Sequence, residues 1–576
     1  MRKLAAVALT VGVATASCSG GHGGSAVLPP SAGGPQANAR TARSAAPAGW
    51  ANTATQVSNL LNATDQGVLP AAKPLTVRVG LALHNVPQLQ AAIAAGQTIA
   101  PAQFAATYGP TAAEVQQVTS YLQSQGLSNV TVAPNRQLVS ASGSAAQIAA
   151  AFDTTLHAFS QNGAAHYANT APAYVPAALD GIVLAVLGLN DVPAFKPNLH
   201  VGPAAGTPPS PCLVSGVPAC VRSYAPADYW RAYDVASVPA ASGVNVAIMT
   251  EGDVSGAVAD FRVNEQTAGL SQVPVVVKPV GAASSDTAGN DEWTLDMFAS
   301  SGMAGSVSTL YLYDTTSLSD ADIAAEYNAW VSDDIAPVGN SSFGGCEFGP
   351  VLDGSLAMID QILMQGAAQG QTMFASSGDT GSFCSVGTPN GVPAGVPEVE
   401  YPAASPYVVA VGGTTLVTTA AGAYQGEVSW YAGGGGVSTF EAAPAWESGV
   451  QPTGSLRRGV PDVAMDGDPN TGMSIYTAST GATAIGGTSL SSPLAAGVWA
   501  RMIQTHGSLG FAAPRLYHSF SATSAGSPLL AAPPTIPHGG FHDVIAGVNG
   551  AFSSTPGYDY NTGLGTFDVS AINGAL

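Results

Sequence analysis

Basic side chains are scarce. Sixteen lysines and arginines stand against 36 aspartates and glutamates, a formal net charge of −20. That balance offers no cationic face to nucleic-acid phosphates. Charge of either sign is thin, 9% of residues against about 25% in an average soluble protein. Once carboxylates fall neutral near pH ~4, few cations remain to repel one another, so the composition leans toward a protein that works in acid. No apolar run reaches the ~20 residues a membrane-spanning helix needs. Histidine is missing from the centre of the chain: none occurs between His200 and His506. The pattern G-x-S-x-G, the serine turn of α/β-hydrolases, is absent too. The five cysteines show no zinc-site spacing, and no solenoid-period repeat is visible.

What is present is apolar and long. With 46% hydrophobic residues over 576 positions, the chain is globular material enough for about two to four domains. It starts with Arg2 and Lys3, an apolar stretch from Leu4 to Ala16 and then small residues, the plan of a secretory signal over 1–24. The expected location is therefore secreted, with Cys18 a candidate lipid-attachment cysteine. Cys212, Cys220, Cys346 and Cys384 then form an even set for an oxidising compartment. Of the three connectivities, Cys212–Cys220 with Cys346–Cys384 demands least.

Residues 25–72, rich in Ala, Gly, Pro and Ser, read as a tether. From 73 the rhythm changes. LTVRVGLALH (75–84) alternates as a half-buried strand. TAAEVQQVTSYLQSQG (111–126) carries Thr111 and Glu114 at capping-box spacing and stops at Gly126. SAAQIAAAF (144–152) reads as a second helix. Residues 73–199 thus form a compact α+β domain, followed by a Pro/Gly-rich linker over 200–222. From 223 to 576, apolar strands (244–253, 273–280, 308–314, 372–379, 407–413) alternate with amphipathic helices (319–334, 354–370). That pattern predicts an α/β fold, a doubly wound parallel sheet with function at the carboxyl ends of its strands.

Ser489, in ATAIGGTSLSSPLAAGVWA (482–500), has the setting of a nucleophile at the start of a buried helix. A serine hydroxyl needs a base. Every histidine of the second domain follows Ser489, so the acid–histidine–serine order of subtilisins is impossible. GNDEWTLDMFAS (289–300) offers another base. Glu292 and Asp296 are four apart, on one face of a helix, among apolar neighbours. Two close carboxylates cannot both ionise easily, so one keeps a proton and the pair can act as base and acid in mildly acidic water. FASSGDTG (374–381) puts Asp379 at the end of an apolar strand. There it either caps a turn or, kept neutral, donates a hydrogen bond to an oxyanion.

Together these segments resemble the serine-carboxyl peptidases of the sedolisin family, kumamolisin and pro-kumamolisin type. Glu292-Trp293-Thr294-Leu295-Asp296 matches the family's E-x-x-x-D, Ser377-Gly378-Asp379-Thr380-Gly381 its S-G-D-x-G, and Gly487-Thr488-Ser489 through Pro493 its G-T-S-x-x-x-P. The first domain resembles the family's inhibitory propeptide, which carries a ferredoxin-like fold, in YGPTAAEVQQVTSYLQSQGL and VPAALDGIVLAVLGL. The resemblance implies a subtilisin-like catalytic domain with Ser489 as nucleophile, Glu292 as general base, Asp296 as its support and Asp379 in the oxyanion hole. It also implies one structural calcium ion, held by the carboxylates of Asp543 and Asp559 and the carbonyls of Val544, Thr555 and Gly557. NSSFGGCEFGP (340–350) falls where the family lines its cleft, and Gly433–Gly436 reads as a flexible cleft loop.

The expectation is a monomeric, secreted zymogen of an acid-acting endopeptidase, inhibited by its own propeptide and maturing in or near 200–222. It would act on proteins or peptides, with neither nucleic acid nor a membrane span involved. Two rivals stand beside it: a tripeptidyl exopeptidase with the same chemistry, and a non-catalytic surface-binding relative.

Overall fold

The computed structural model describes residues 45–202, 222–384, 395–520 and 539–576, apart from 59, 61, 62, 162, 194, 453 and 454. The leader with Cys18, most of the expected linker with Cys212 and Cys220, and His538 lie outside the described residues.

In the first part of the chain, four antiparallel strands lie in the order Ser128–Val132, Leu138–Ser144, Pro74–Leu81 and Val183–Leu187. Thr111 and Glu114 close the expected capping box on the helix Ala112–Ser124, and Ser144 with Gln147 closes another on Ala145–Ala151. These helices bury Val118, Leu122 and Ile148 in a core shared with Val77, Val79 and Leu81. This is an α+β unit.

Strand Pro74–Leu81 alternates as expected over its first half, with Pro74 and Thr76 exposed and Leu75 and Val77 buried, while at its end Gly80 and Leu81 are both covered. Its second face meets the larger part of the molecule: Arg78 pairs with Asp322 at 3.0 Å, and a Cβ on Gly80 would lie 2.1 Å from Met358 Sδ. The helices Asp320–Asp333 and Ser355–Gln369 form the other side of this contact. Gln361 accepts from the Leu83 amide at 2.8 Å, and Asn135 donates to Asn328 at 2.7 Å and Gln365 at 3.0 Å.

The larger part is built on a ten-stranded sheet. Eight parallel strands run in the order Val275–Val280, Val307–Thr315, Ala241–Glu251, Val338–Ser341, Thr372–Ser376, Val409–Thr418, Val463–Asp466 and Thr566–Phe567. Two antiparallel strands, Phe541–His542 and Tyr424–Ser429, complete it. Such a sheet must be covered on both faces, which explains its continuous apolar runs.

Two helices matter most for the site. Asn290–Ala304 is buried almost all round, Trp293, Leu295, Met297 and Phe298 included, as a helix inside a large core must be. Beside it runs Thr488–His506. The two approach closely because Gly497 faces Ser300: a Cβ there would lie 2.6 Å from the Ser300 carbonyl oxygen.

Three expectations are corrected. The tether does not extend to 72: Trp50–Asn52 pairs with Tyr174–Pro176, and Thr64–Val68 with Leu156–Gln161. Small residues pack there rather than float, with Ala51 and Ala54 buried and the Thr55 hydroxyl donating to Val186 O at 2.9 Å. The start of the linker is also ordered, since His200–Val201 pairs with Gly486 and Ile485. Finally, Gly433–Gly436 is pinned, not flexible. Gly434 N donates to Gly378 O at 2.6 Å and Ser377 Oγ to Gly434 O at 2.7 Å. A Cβ on Gly434 would stand 2.0 Å from Ser377 O, so glycine serves close backbone packing.

Candidate active site

Gly487, with φ 104°, turns the chain out of strand Gly481–Gly486 and into the helix Thr488–His506. The turn places Ser489 in the helix's first turn, fully buried, with its Oγ donating toward Glu292 Oε2 at 3.0 Å and the Ser342 carbonyl at 3.1 Å. Pro493 lacks the N–H that would bond to the Ser489 carbonyl, and Ser342 Oγ stands 3.4 Å from that carbonyl instead.

Glu292 and Asp296 project from one face of their helix, as the spacing requires. Ser342 Oγ donates to Asp296 Oδ1 at 2.5 Å. Glu292 Oε1 and Asp296 Oδ2 are buried without a hydrogen bond among the described residues, so a proton on the pair satisfies an otherwise orphaned oxygen. Burial first, then the neighbouring Asp296, pushes the Glu292 carboxyl well above the usual carboxylate range, against the pull of the Ser489 hydroxyl. Burial likewise raises Asp296, partly offset by Ser342.

Asp379 lies just past strand Thr372–Ser376. Its Oδ1 accepts from Thr488 N and Thr488 Oγ1, both at 2.8 Å, tying it to the turn that carries Ser489. Among the described residues Oδ2 accepts no hydrogen bond, although His200 Nε2 lies 3.3 Å away. Burial drives this carboxyl well above its usual range. Of the two readings of Asp379, the turn contact is seen directly, made by Oδ1 with Thr488.

Sequence reasoning missed Ser342, whose carbonyl and hydroxyl touch both Ser489 and Asp296. The only signal was the NSSFGG segment, flagged as cleft. It also missed Glu400 and Ser376, which hold the Asn198 side chain at 3.0 and 3.2 Å. Cys346, in strand Phe343–Cys346, is bonded to Cys384 as expected.

Sedolisin of Pseudomonas sp. (strain 101) is 38% identical over 502 residues, covering 83% of this chain and 81% of that protein. The chain belongs to the sedolisin family. Xanthomonalisin of Xanthomonas sp. (strain T-22) is 36% identical, covering 88% of this chain and 66% of that protein. A family model described as pro-kumamolisin, activation domain, matches residues 61–192, and one for the subtilase family matches 280–525. The solved Pseudomonas sedolisin, described as a serine-carboxyl proteinase complexed with two molecules of pseudo-iodotyrostatin, superposes with a TM-score of 0.56 at 36% identity. It covers 62% of this chain and 98% of that one. This protein is therefore a sedolisin-family serine-type peptidase carrying a propeptide activation domain.

At the C-terminal end, Asp543 and Asp559 converge on one turn. Gly557 N donates to Asp543 Oδ2 at 2.8 Å and Thr555 N to Asp559 Oδ2 at 2.9 Å. Burial raises Asp559 to about 6, with only hydrogen bonds opposing it. Two buried carboxylates tied to one turn are hard-oxygen donors of the kind calcium takes.

Proposed function

We propose that the protein is the exported, self-processing zymogen of an acid-acting endopeptidase that cuts peptide bonds through an acyl-enzyme on Ser489. The observation that carries this reading is the 3.0 Å contact from Ser489 Oγ to Glu292 Oε2, inside a buried carboxyl pair with raised proton affinity.

Glu292 takes the Ser489 proton as Oγ attacks the substrate carbonyl, and Asp296 stabilises the charge distribution on the pair. The oxyanion that forms accepts from Ser489 N–H and from a neutral Asp379 carboxyl. Glu292 then returns the proton to the leaving amine, and water releases the acyl group by the same steps in reverse. Asp379 donates only while protonated, so turnover belongs to acidic conditions. The Lys/Arg-bearing, apolar leader supports export. Asp543, Asp559 and the carbonyls of Val544, Thr555 and Gly557 would hold one calcium ion. The ion would neutralise buried charge and fasten the C-terminal loops.

The test is digestion of a long denatured protein by the full-length chain at pH values from about 3 to 7, with fragments mapped by mass. Internal cuts in acid are expected, absent in Ser489→Ala and in a folded Glu292→Gln. Release of tripeptides alone would replace the endopeptidase reading with an exopeptidase, and silence at every pH would overturn the enzyme reading.

A further inference from the structure

The chain on the C-terminal side of the propeptide runs through the active site as an extended peptide. Lys196 and Pro197 pair antiparallel with Gly344 and Phe343 on one side of Ser489, and His200 and Val201 with Gly486 and Ile485 on the other. Asn198 lies between. Its N–H donates to Ser342 O at 3.2 Å, and its carbonyl oxygen accepts from Ser489 N at 3.2 Å. Downstream, Gly202 N donates to Ala484 O at 2.8 Å. Backbone pairing on both sides, with one carbonyl on the nucleophile's own amide, is how a substrate strand is held.

The Asn198 carbonyl also approaches the free oxygen of Asp379. A Cβ on Gly487 would stand 2.1 Å from Asn198 O and 2.6 Å from Asp379 Oδ2, so both oxygens crowd the same point. Only glycine leaves room there, and the positive φ asks for it as well.

The Asn198 side chain is buried. Its amide donates to Glu400 Oε2 at 3.0 Å and to Ser376 Oγ at 3.2 Å. Glu400 is itself enclosed, and Cys346 pairs with it across the strands Phe343–Cys346 and Glu400–Tyr401. A buried carboxyl facing a buried amide costs little while they are bonded to each other. Facing an alkyl side chain it loses its partner, so the pocket discriminates.

We propose that Asn198–Leu199 is the first peptide bond the zymogen cuts in itself, and that Glu400, with Ser376, selects an amide-bearing side chain on the acyl side of the bond. This rests on the serine peptidase reading above. Ser489 Oγ bonds to the Asn198 carbonyl carbon while its proton passes to Glu292. The C–N bond to Leu199 breaks, and that proton leaves on the new Leu199 α-amine. Water then adds to the ester, giving a carboxyl on Asn198 and restoring the Ser489 hydroxyl. Because Glu400 is pushed up to about 7, chiefly by burial, it meets the amide as a neutral acid in the acidic range.

Full-length zymogen, brought from neutral to acidic pH, is sampled over time for intact mass and new N-termini, with casein digestion followed in parallel. The earliest pair of products should end at Asn198 and begin at Leu199, and Ser489→Ala should yield neither. A first cut elsewhere, with this bond intact and casein digested, overturns the proposed bond but leaves the peptidase reading standing. No cut and no digestion remove both. For the pocket, peptides spanning 195–202 carry Asn or Leu at position 198. Glu400→Leu should lose at least ~10-fold of the wild-type preference for Asn in kcat/KM, and Glu400→Gln, which keeps polar partners, should retain most of it. A Glu400→Leu enzyme that turns over peptides with the wild-type preference overturns the assignment.

Discussion

Ser342 Oγ stands 2.5 Å from Asp296 Oδ1, joining a serine that links two short strands to the second carboxyl of the site. The same residue offers its carbonyl to Ser489 at 3.1 Å. A Ser342→Ala change removes the hydroxyl and leaves a buried carboxyl oxygen unpaired, a loss of about 1–3 kcal/mol. The backbone carbonyl stays. Thermal stability should therefore fall, and kcat should fall roughly 10-fold or more with little change in KM. An unchanged kcat would mean that Asp296 needs no positioning from Ser342.

At Asp379 the turn contact made by Oδ1 can be separated from the oxyanion-donor role proposed for the residue. Asp379→Ala removes both the turn cap and the oxyanion donor, and kcat should drop by about 10² to 10³. Asp379→Asn keeps an uncharged donor at all pH values. It should retain more activity than the alanine variant, and its rate should decline less steeply as pH rises. Equal, complete inactivity of both variants in folded protein would argue that a carboxyl proton, not merely a neutral donor, is required.

Many buried carboxyls hold their protons more tightly folded than unfolded. Glu347 and Glu400 are pushed up to about 7, and Asp360 to about 6, chiefly by burial. A raised folded value means that the native state binds more protons, so stability falls as pH rises. The contribution is fully present below the unfolded values near pH ~4 and is lost through about pH 7. Thermal melts of the Ser489→Ala zymogen, which cannot digest itself, should give the highest Tm near pH ~4 and lower values at pH ~8. A Tm that climbs across this range would contradict the burial argument.

Calcium, if held at the C-terminal turn, stabilises the native chain by mass action, about 2.7 kcal/mol at a free concentration 100-fold above Kd. Chelation should lower the Tm of Ser489→Ala at neutral pH, and added calcium should restore it. Asp559→Ala should abolish that response, and titration calorimetry should give one ion per chain. A melt indifferent to chelator and a flat titration would remove the ion from this protein.

Much of the fold is written in local pattern. Thr111 and Glu114 cap their helix at the expected spacing. The expected strand 308–314 falls within Val307–Thr315, and 244–253 overlaps Ala241–Glu251 up to Glu251. Beyond Trp50 the expected tether gives way to paired strands, because small, weakly periodic residues look alike in a loose segment and in a closely packed one. Only long-range partners such as Tyr174–Pro176 distinguish them.

The sequence by itself determined that Glu292 and Asp296 share a helix face, that Asp379 ends a strand, and that no histidine precedes Ser489 in its own domain. Spacing of four on a helix and position at a strand end are local consequences of backbone geometry. Tertiary structure alone decided that Ser489 meets Glu292 across 197 residues of chain. It also set Ser342 against both Ser489 and Asp296 and laid Asn198 on the nucleophile. Those contacts depend on strand order and on two helices approaching at Gly497. Several run through backbone carbonyls and amides, which every residue carries and no side-chain letter reveals.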